Sequence, residues 1–310
     1  ISSELANHKK NAPKSPEMSV RVIGPAQRTT KVLRRGDFLQ PEKEVSNAAV
    51  KVIDSSHPLK PRATGKRADR LDLARWLTDP SHPLTPRVTV NHVWAKLFGR
   101  GIVATVNDFG VRGDHPTHAA LLDWLAWKFP RDMGWSRRAL IKTIVMSATY
   151  RQSSRHRPEL NEVDPTNLLL SRQNRVRVEA EIIRDLHLAA SGLLSTKIGG
   201  PSVFPPLPPG VTELSYANNF KWATSKDEDR YRRGIYTFFK RTSPHPTLIS
   251  FDCPDSNTTN LSRDQSNTPL QALAMMNNEV FTEAAQSLAK RILEHGGNNN
   301  RQRLQFAMLL

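Results

Sequence analysis

The spacing of apolar side chains changes character along the chain, and the change divides it. Up to about residue 66 the apolar residues are sparse and aperiodic. Val20–Ile23 and Thr30–Arg34 are short runs able to pair as strands, ahead of a turn at Arg35-Gly36-Asp37. Residues 54–66, DSSHPLKPRATGK, carry the Pro, Gly and Ser punctuation of a linker. From Arg67 onward the period becomes helical. Leu71, Ala74 and Leu77 share a face that Asp79-Pro80 ends. Val90, Val93, Trp94 and Leu97 form a stripe across 86–98, with Gly99 as its breaker. A third helix, capped by Asp114 or Thr117 with Pro116 in its first turn, buries Leu121, Leu122, Leu125 and Phe129. Ser136 caps a fourth, lined by Leu140, Ile141, Ile144 and Val145 and running through Tyr150, and a fifth covers 178–194.

Beyond residue 198 the pattern breaks. GGPSVFPPLPPG at 199–210 is a Pro-rich loop, because proline removes amide donors and fixes the backbone angle. Gly234–Lys240 and Thr247–Phe251 have the β-branched and aromatic content of strands, with Ser243-Pro244-His245-Pro246 as the turn between them. Thr268-Pro269 opens a helix that Asn277-Asn278 interrupts before Val280–His295 continues it. Arg301–Leu310 reads as the opening of another helix without a stop, and both ends of the chain are expected to be cut. The prediction is a mainly α fold: a helical core with a small β element near 234–252 and long Pro-rich loops. A basic, extended region, 1–66, precedes a helical domain, 67–310.

Composition narrows the function. One cysteine, Cys253, excludes an internal disulfide, a cysteine-based zinc site, an iron–sulfur cluster and c-type haem attachment. No run of eighteen apolar residues exists to span a membrane as a helix. The chain carries 45 Lys and Arg against 29 Asp and Glu, a formal +16, which is the footprint of a protein that meets polyanions. Residues 1–70 hold 15 of those basic side chains and 7 of the acidic ones, so that region reads as a solvated connector or as an anion-binding arm.

Few residues carry candidate chemistry. Asp108-Phe109-Gly110 has the kinase magnesium tripeptide without the catalytic and glycine-rich loops that a kinase needs. Asp108, Asp114, His115 and His118, with Asp123 nearby, are the weak metal-ligand candidates, but Asp114-His115-Pro116-Thr117 equally spells a helix start, and no metal is expected. His92, among Val90, Val93 and Trp94, reads as a core or cleft residue. A second constellation surrounds the expected β element: Arg232, Arg233, Lys240, Arg241, Asp252, Asp255, Arg263 and Asp264. Arg241 and Arg263, with Arg233, could fork onto a carboxylate or sulfate, leaving Asp252, Asp255 or Asp264 as general acid or base. Trp222 in a loop could stack on a sugar, whereas Trp76, Trp94, Trp124, Trp127 and Trp135 are expected to pack in the core. Carboxylates flanking Cys253 should raise its thiol pKa and keep it inert.

Several stretches together carry a resemblance. RLDLARWLTDPSHPLTPRVTVNHVW, FGRGIVATVNDFG, SATYRQSS, DPTNLLL, VEAEIIRDLHLAASG, RRGIYTFFKRTSPHPTLISFDCPD and SNTPLQALAMMNNEVF resemble the planctomycete-specific PSD domain, a domain of unknown function, from about Val32 to Ile292. His92 stands where that family most often has arginine, and Gly234 where serine usually follows the arginine pair. The resemblance implies an exported, extracytoplasmic or periplasmic setting at the C-terminal end of proteins that begin with a cytochrome c module. Haem is then expected on that separate module and no cofactor in this chain. It carries no catalytic residue. Three functions follow: a scaffold or partner- and ligand-binding module of a haem-associated complex linked to polysaccharide processing; a carbohydrate-active enzyme using the 241–264 cluster; or, least supported, polyanion or nucleic-acid binding through the basic surface.

Overall fold

Helix signals in the sequence become helices wherever a polar cap or a proline marks the first turn. The computed structural model describes residues 29–62, 67–208 and 221–310, so the strand expected at Val20–Ile23 lies outside the described residues. By its internal contacts the chain forms two units, 1–83 and 84–310.

In the first unit, β1 (Thr30–Leu33) pairs antiparallel with β2 (Pro41–Val45), Thr30 opposite Val45. The turn expected at Arg35-Gly36 is there, with both residues at positive φ. Two helices follow, α1 (Lys51–Asp54) and α2 (Arg70–Leu77). Asp69 and Asp72 cap α2 reciprocally, and Asp72 also holds Arg62 at 2.8 Å. The indole of Trp76 donates to the His57 carbonyl and stacks edge-on against His82 at 4.4 Å.

The second unit contains α3 (Thr85–Phe98), α4 (Ala119–Arg131), α5 (Arg137–Val145), α6 (Ala148–Arg151), α7 (Ala180–Ser191), α8 (Pro246–Ser250), α9 (Pro269–Asn277), α10 (Glu279–His295) and α11 (Asn300–Ala307). The fold is therefore mainly α, with one small sheet among the described residues. Gly99 and Gly192 end α3 and α7 at positive φ, as a left-handed cap requires. Ser136 caps α5, and Ser147 interrupts the expected run to Tyr150 by capping α6. Asn278 ends α9 and accepts from Val280 and Phe281 to start α10. No helix among the described residues is long and apolar enough to cross a membrane.

Three expectations are corrected. The small β element is at 30–45, not near 234–252: Gly234–Tyr236 is a single 3-10 turn, and Val203 and Thr237 make only an isolated bridge. Thr247–Phe251 is not a strand, because His245 accepts from the Thr247 amide and Pro246 occupies the first helical position, so the segment begins α8. The third helix starts later than expected, at Ala119, with neither Asp114 nor Thr117 as its cap.

Two cores form inside the second unit. Val90, Trp94 and Phe98 of α3, Leu122, Leu125 and Phe129 of α4, and Leu140 and Ile144 of α5 enclose Ile102 and Val103. Ala180 and Ile183 of α7, Leu248 and Phe251 of α8, and Phe281 of α10 form the other. Asn91 is wholly buried, and its amide makes both bonds of a backbone pair with Val103, accepting from its N–H and donating to its carbonyl, each at 2.9 Å. That clamp fixes the 99–106 loop.

His245 lies buried beside Trp222, its Nδ1 accepting from Thr247 and its Nε2 donating to the Pro206 carbonyl at 3.2 Å. Burial pushes its pKa down to about 4, the hydrogen bond to the Pro206 carbonyl pulls against it, and the Arg184 charge adds a lesser downward push.

Two predictions follow from these buried polar groups. Asn91→Ala strands both polar atoms of Val103 and should lower unfolding free energy by about 2–4 kcal/mol, read by urea denaturation. Because His245 binds its proton more readily when unfolded, stability should be complete above its ordinary value near 6.5 and lost as pH falls toward 4, by up to about 3 kcal/mol. His245→Gln should flatten that part of the stability–pH curve.

Candidate functional site

A cleft of about 820 Å³ opens between segments that belong to the two cores. The end of α3 and the loop after it supply His92, Lys96, Leu97, Arg100 and Val106. The extended run into α7 supplies Val176, Arg177, Val178, Glu179 and Ile182. The remaining wall is Phe251, Asp252 and residues 260–265. Apolar side chains with a few convergent polar groups are the usual make-up of a ligand site.

The polar groups are ordered by one ion network. Arg263 forks onto Glu181, at 2.6 and 3.1 Å, and lies 3.7 Å from Glu179. Glu179 also holds Lys96 of α3, tying two walls together. Burial works to raise the Glu181 carboxyl, but the Arg263 hydrogen bonds and charge hold it below its ordinary value. Cys253 sits 3.8 Å from Glu181, and its thiol is pushed up by burial and then by that carboxylate, rather than by the carboxylates that flank it in the sequence.

Asp252 has left-handed backbone, φ 62°, which turns its carboxylate onto Ser266: the backbone amide at 2.8 Å and the hydroxyl at 2.7 Å. Those bonds, the amide first, hold its carboxyl below the ordinary range. Gln271, buried in the first turn of α9, donates to Ser266 at 3.1 Å and accepts from Arg177. Arg100 is exposed and meets no carboxylate among the described residues.

Of the residues singled out from sequence, the cleft brings together His92, Arg263, Asp252 and Asp264. Asp255 joins Asp252 and Asp264 in an adjoining hollow of about 300 Å³. Its carboxylate is turned onto the Asn257 amide at 3.0 Å, which lowers its pKa. Arg233 is elsewhere, paired with Asp185 at 2.8 Å, and Arg241 lies on an exposed turn. Arg232 is buried, stacked 3.7 Å from the Tyr236 ring centroid, with its guanidinium on the carbonyls of Lys197, Gly199 and Pro201. Trp222 donates to the Pro205 carbonyl at 2.7 Å and packs edge-on against Phe204.

The weak metal candidates do not converge. Asp108 accepts from the Gly110 amide at 2.7 Å, Asp114 and His115 are exposed, and His118 bonds Thr117 at 2.9 Å. Asp123 pairs with Arg87 at 2.7 Å. Among the described residues no group of three His, Cys, Asp or Glu side chains is placed to hold a metal ion. His92 lines the cleft, bonded to the Val106 carbonyl at 3.2 Å.

Sequence reasoning missed Lys96, Arg100, Arg177, Glu179, Glu181, Ser266 and Gln271 as members of one site. The signal was present in RVRVEAE, residues 175–181, where charge and apolar side chains alternate immediately before a helix. Glu181→Gln should strip Arg263 of its bidentate carboxylate and leave it only Glu179, with a loss of about 1–2 kcal/mol in a partly exposed setting. It should also make Cys253 react several-fold faster with a disulfide reagent at fixed pH, since the carboxylate that opposes the thiolate is gone.

No curated protein matches the chain, and no solved structure does. The segments that build the cleft lie inside residues 69–310, which match the model of PSD1, described as a protein of unknown function (DUF1553), and the chain belongs to that family.

Proposed function

We propose that this domain is a ligand-binding module that works outside the cytoplasm, beside a haem-bearing cytochrome c module, and that its cleft takes the acidic groups of a saccharide ligand. The observation that carries the reading is the imbalance of charge in the cleft. Four cations, Lys96, Arg100, Arg177 and Arg263, line it against three carboxylates, Glu179, Asp252 and Asp264, and of these Glu179 is already taken by Lys96 and Arg263, and Asp252 by Ser266. Among the described residues Arg100 meets no carboxylate, and Arg177 is hydrogen-bonded to the neutral amide of Gln271, with Asp252 close enough to feel its charge. Two guanidinium groups beside an apolar lining of Leu97, Val176, Val178 and Ile182 suit a ligand with acid groups on a carbon frame.

Binding is favoured over turnover by the state of Asp252. A general acid needs a pKa raised toward the working pH, whereas the bonds from Ser266 lower that of Asp252. The extracytoplasmic setting and the cytochrome partner rest on the family resemblance.

Thermal-shift titration with uronic and sulfated oligosaccharides at physiological salt tests the reading. The parent protein should be stabilised by at least one acidic saccharide, and R100Q/R177Q should bind it about tenfold more weakly, as the loss of charge-assisted hydrogen bonds predicts. Equal binding by the variant would sink the proposal. So would a shift with every polyanion that vanishes with salt, because the +16 alone would then explain it.

A further inference from the structure

Helix α4 buries Leu122, Leu125, Ala126 and Phe129 and turns two tryptophans the other way. Trp124 and Trp127 were expected in the core, yet they are 48% and 53% exposed. Three residues apart on a helix, they share a face, with Cβ atoms about 5–6 Å apart. Each indole carries a cation from the following turn: Lys128 Nζ is 4.8 Å from the Trp124 ring centroid, and the Arg131 guanidinium is 5.3 Å from that of Trp127. Attraction between cation and ring restrains both indoles and keeps the charges beside them. Asp123, paired with Arg87, and Asp132, 3.8 Å from Lys128, flank the pair with hydrogen-bond acceptors.

We propose that this face of α4 is a stacking platform for an acidic saccharide chain, distinct from the cleft, with Trp124 and Trp127 under the sugar rings and Lys128 and Arg131 on the acid groups. A sugar offers all three complements at once: an apolar C–H face for each indole, hydroxyl donors for Asp123 and Asp132, and carboxylate or sulfate for the cations. A single-stranded nucleic acid also stacks on aromatic side chains, but it brings a charge at every phosphate. A DNA backbone brings no hydroxyl donor for Asp123 and Asp132, whereas every ring of an acidic saccharide still offers hydroxyls beside its acid group. About half of the surface of each tryptophan is open to a ligand. The platform shares with the cleft proposal only the class of ligand, since none of its residues line the cleft.

The experiment is calorimetric titration of the whole chain with an alginate hexasaccharide, a sulfated galactan hexasaccharide and cellohexaose. Indole fluorescence is followed in parallel. At least one acidic hexasaccharide should bind and shift the fluorescence. W124A/W127A should weaken that binding about tenfold while keeping the helical circular dichroism of the parent, and W124F/W127F, which keep an aromatic ring at each position, should restore most of it. R100Q/R177Q should leave the fluorescence shift intact. The platform is refuted if W124A/W127A binds like the parent, or if no acidic saccharide binds the parent. It is also refuted if the variant loses a short single-stranded DNA or an anionic vesicle more severely than the saccharide. Failure of the cleft proposal alone looks different: R100Q/R177Q then changes nothing while W124A/W127A still abolishes binding.

Discussion

Two adjacent buried charges on α7 hold the second unit together. Arg184 donates to the carbonyls of Arg230 and Arg232, at 2.6 and 3.2 Å, and Asp185 accepts from the Gly234 amide and the Arg233 guanidinium, at 2.6 and 2.8 Å. Burial pushes Arg184 down to about 10, so it remains a cation at neutral pH. A buried charge is tolerated only when its hydrogen bonds are satisfied, and here an irregular stretch of backbone satisfies them. The dependence is mutual, since residues 230–234 form neither strand nor long helix and rely on side chains to occupy their polar atoms. Gly234 completes the fit: a Cβ there would come within 2.5 Å of the Glu181 carbonyl, so only glycine lets the segment lie this close to α7.

That docking sets the cleft. Once 230–234 is fixed on one face of α7, Glu179 and Glu181 at its start are left to hold Lys96 and Arg263. Arg230 reaches Glu279 and Glu283 of α10, so the same segment joins the two helices. The family stretches quoted from the sequence meet at this point: VEAE with the wall of α3, FDCPD with Ser266, and the opening of α9 with Arg177. A site that depends on several chain segments is sensitive to the packing of each, and its acidic groups are partners before they are reagents.

The helices were legible because their signals are local. Ser136, Gly99 and Asn278 act on the backbone within a turn of themselves, and the structure uses each as read. The two strands expected near 234–252 were not legible, because the competition there is between a weak composition preference and a nearby start signal. At Thr247–Phe251 the His245-Pro246 start prevailed. At Gly234–Tyr236 the backbone amide was taken by Asp185 from far along the chain. The tryptophans of α4 were misjudged by residue type although their period was plain: Trp124 and Trp127 fall opposite Leu122, Leu125 and Phe129 on the helix. For the site, Arg263, Asp252 and Asp264 were found by their density of charge, but the residues that pair with them lie more than seventy positions earlier for Arg263, and no local pattern joins them.

Helix α9 shows what this architecture favours. Its buried residue is Gln271, while Leu270, Leu273 and Met276 are 68%, 51% and 75% exposed. An amphipathic helix normally buries its leucines, and this one instead buries the amide that links Asp252 and Ser266 to Arg177. The pattern repeats with Asn91 on Val103, Asn167 on Arg172 and Asn174, and Arg232 on the 197–201 carbonyls. A chain with 22 prolines has many stretches unable to satisfy their own peptide groups in a helix or sheet. Buried polar side chains take over that task, and they do it at fixed distances and angles, where apolar contact alone would allow sliding. The cleft inherits its rigidity from these clamps, which is why polar residues that resemble chemistry in the sequence serve first as structure.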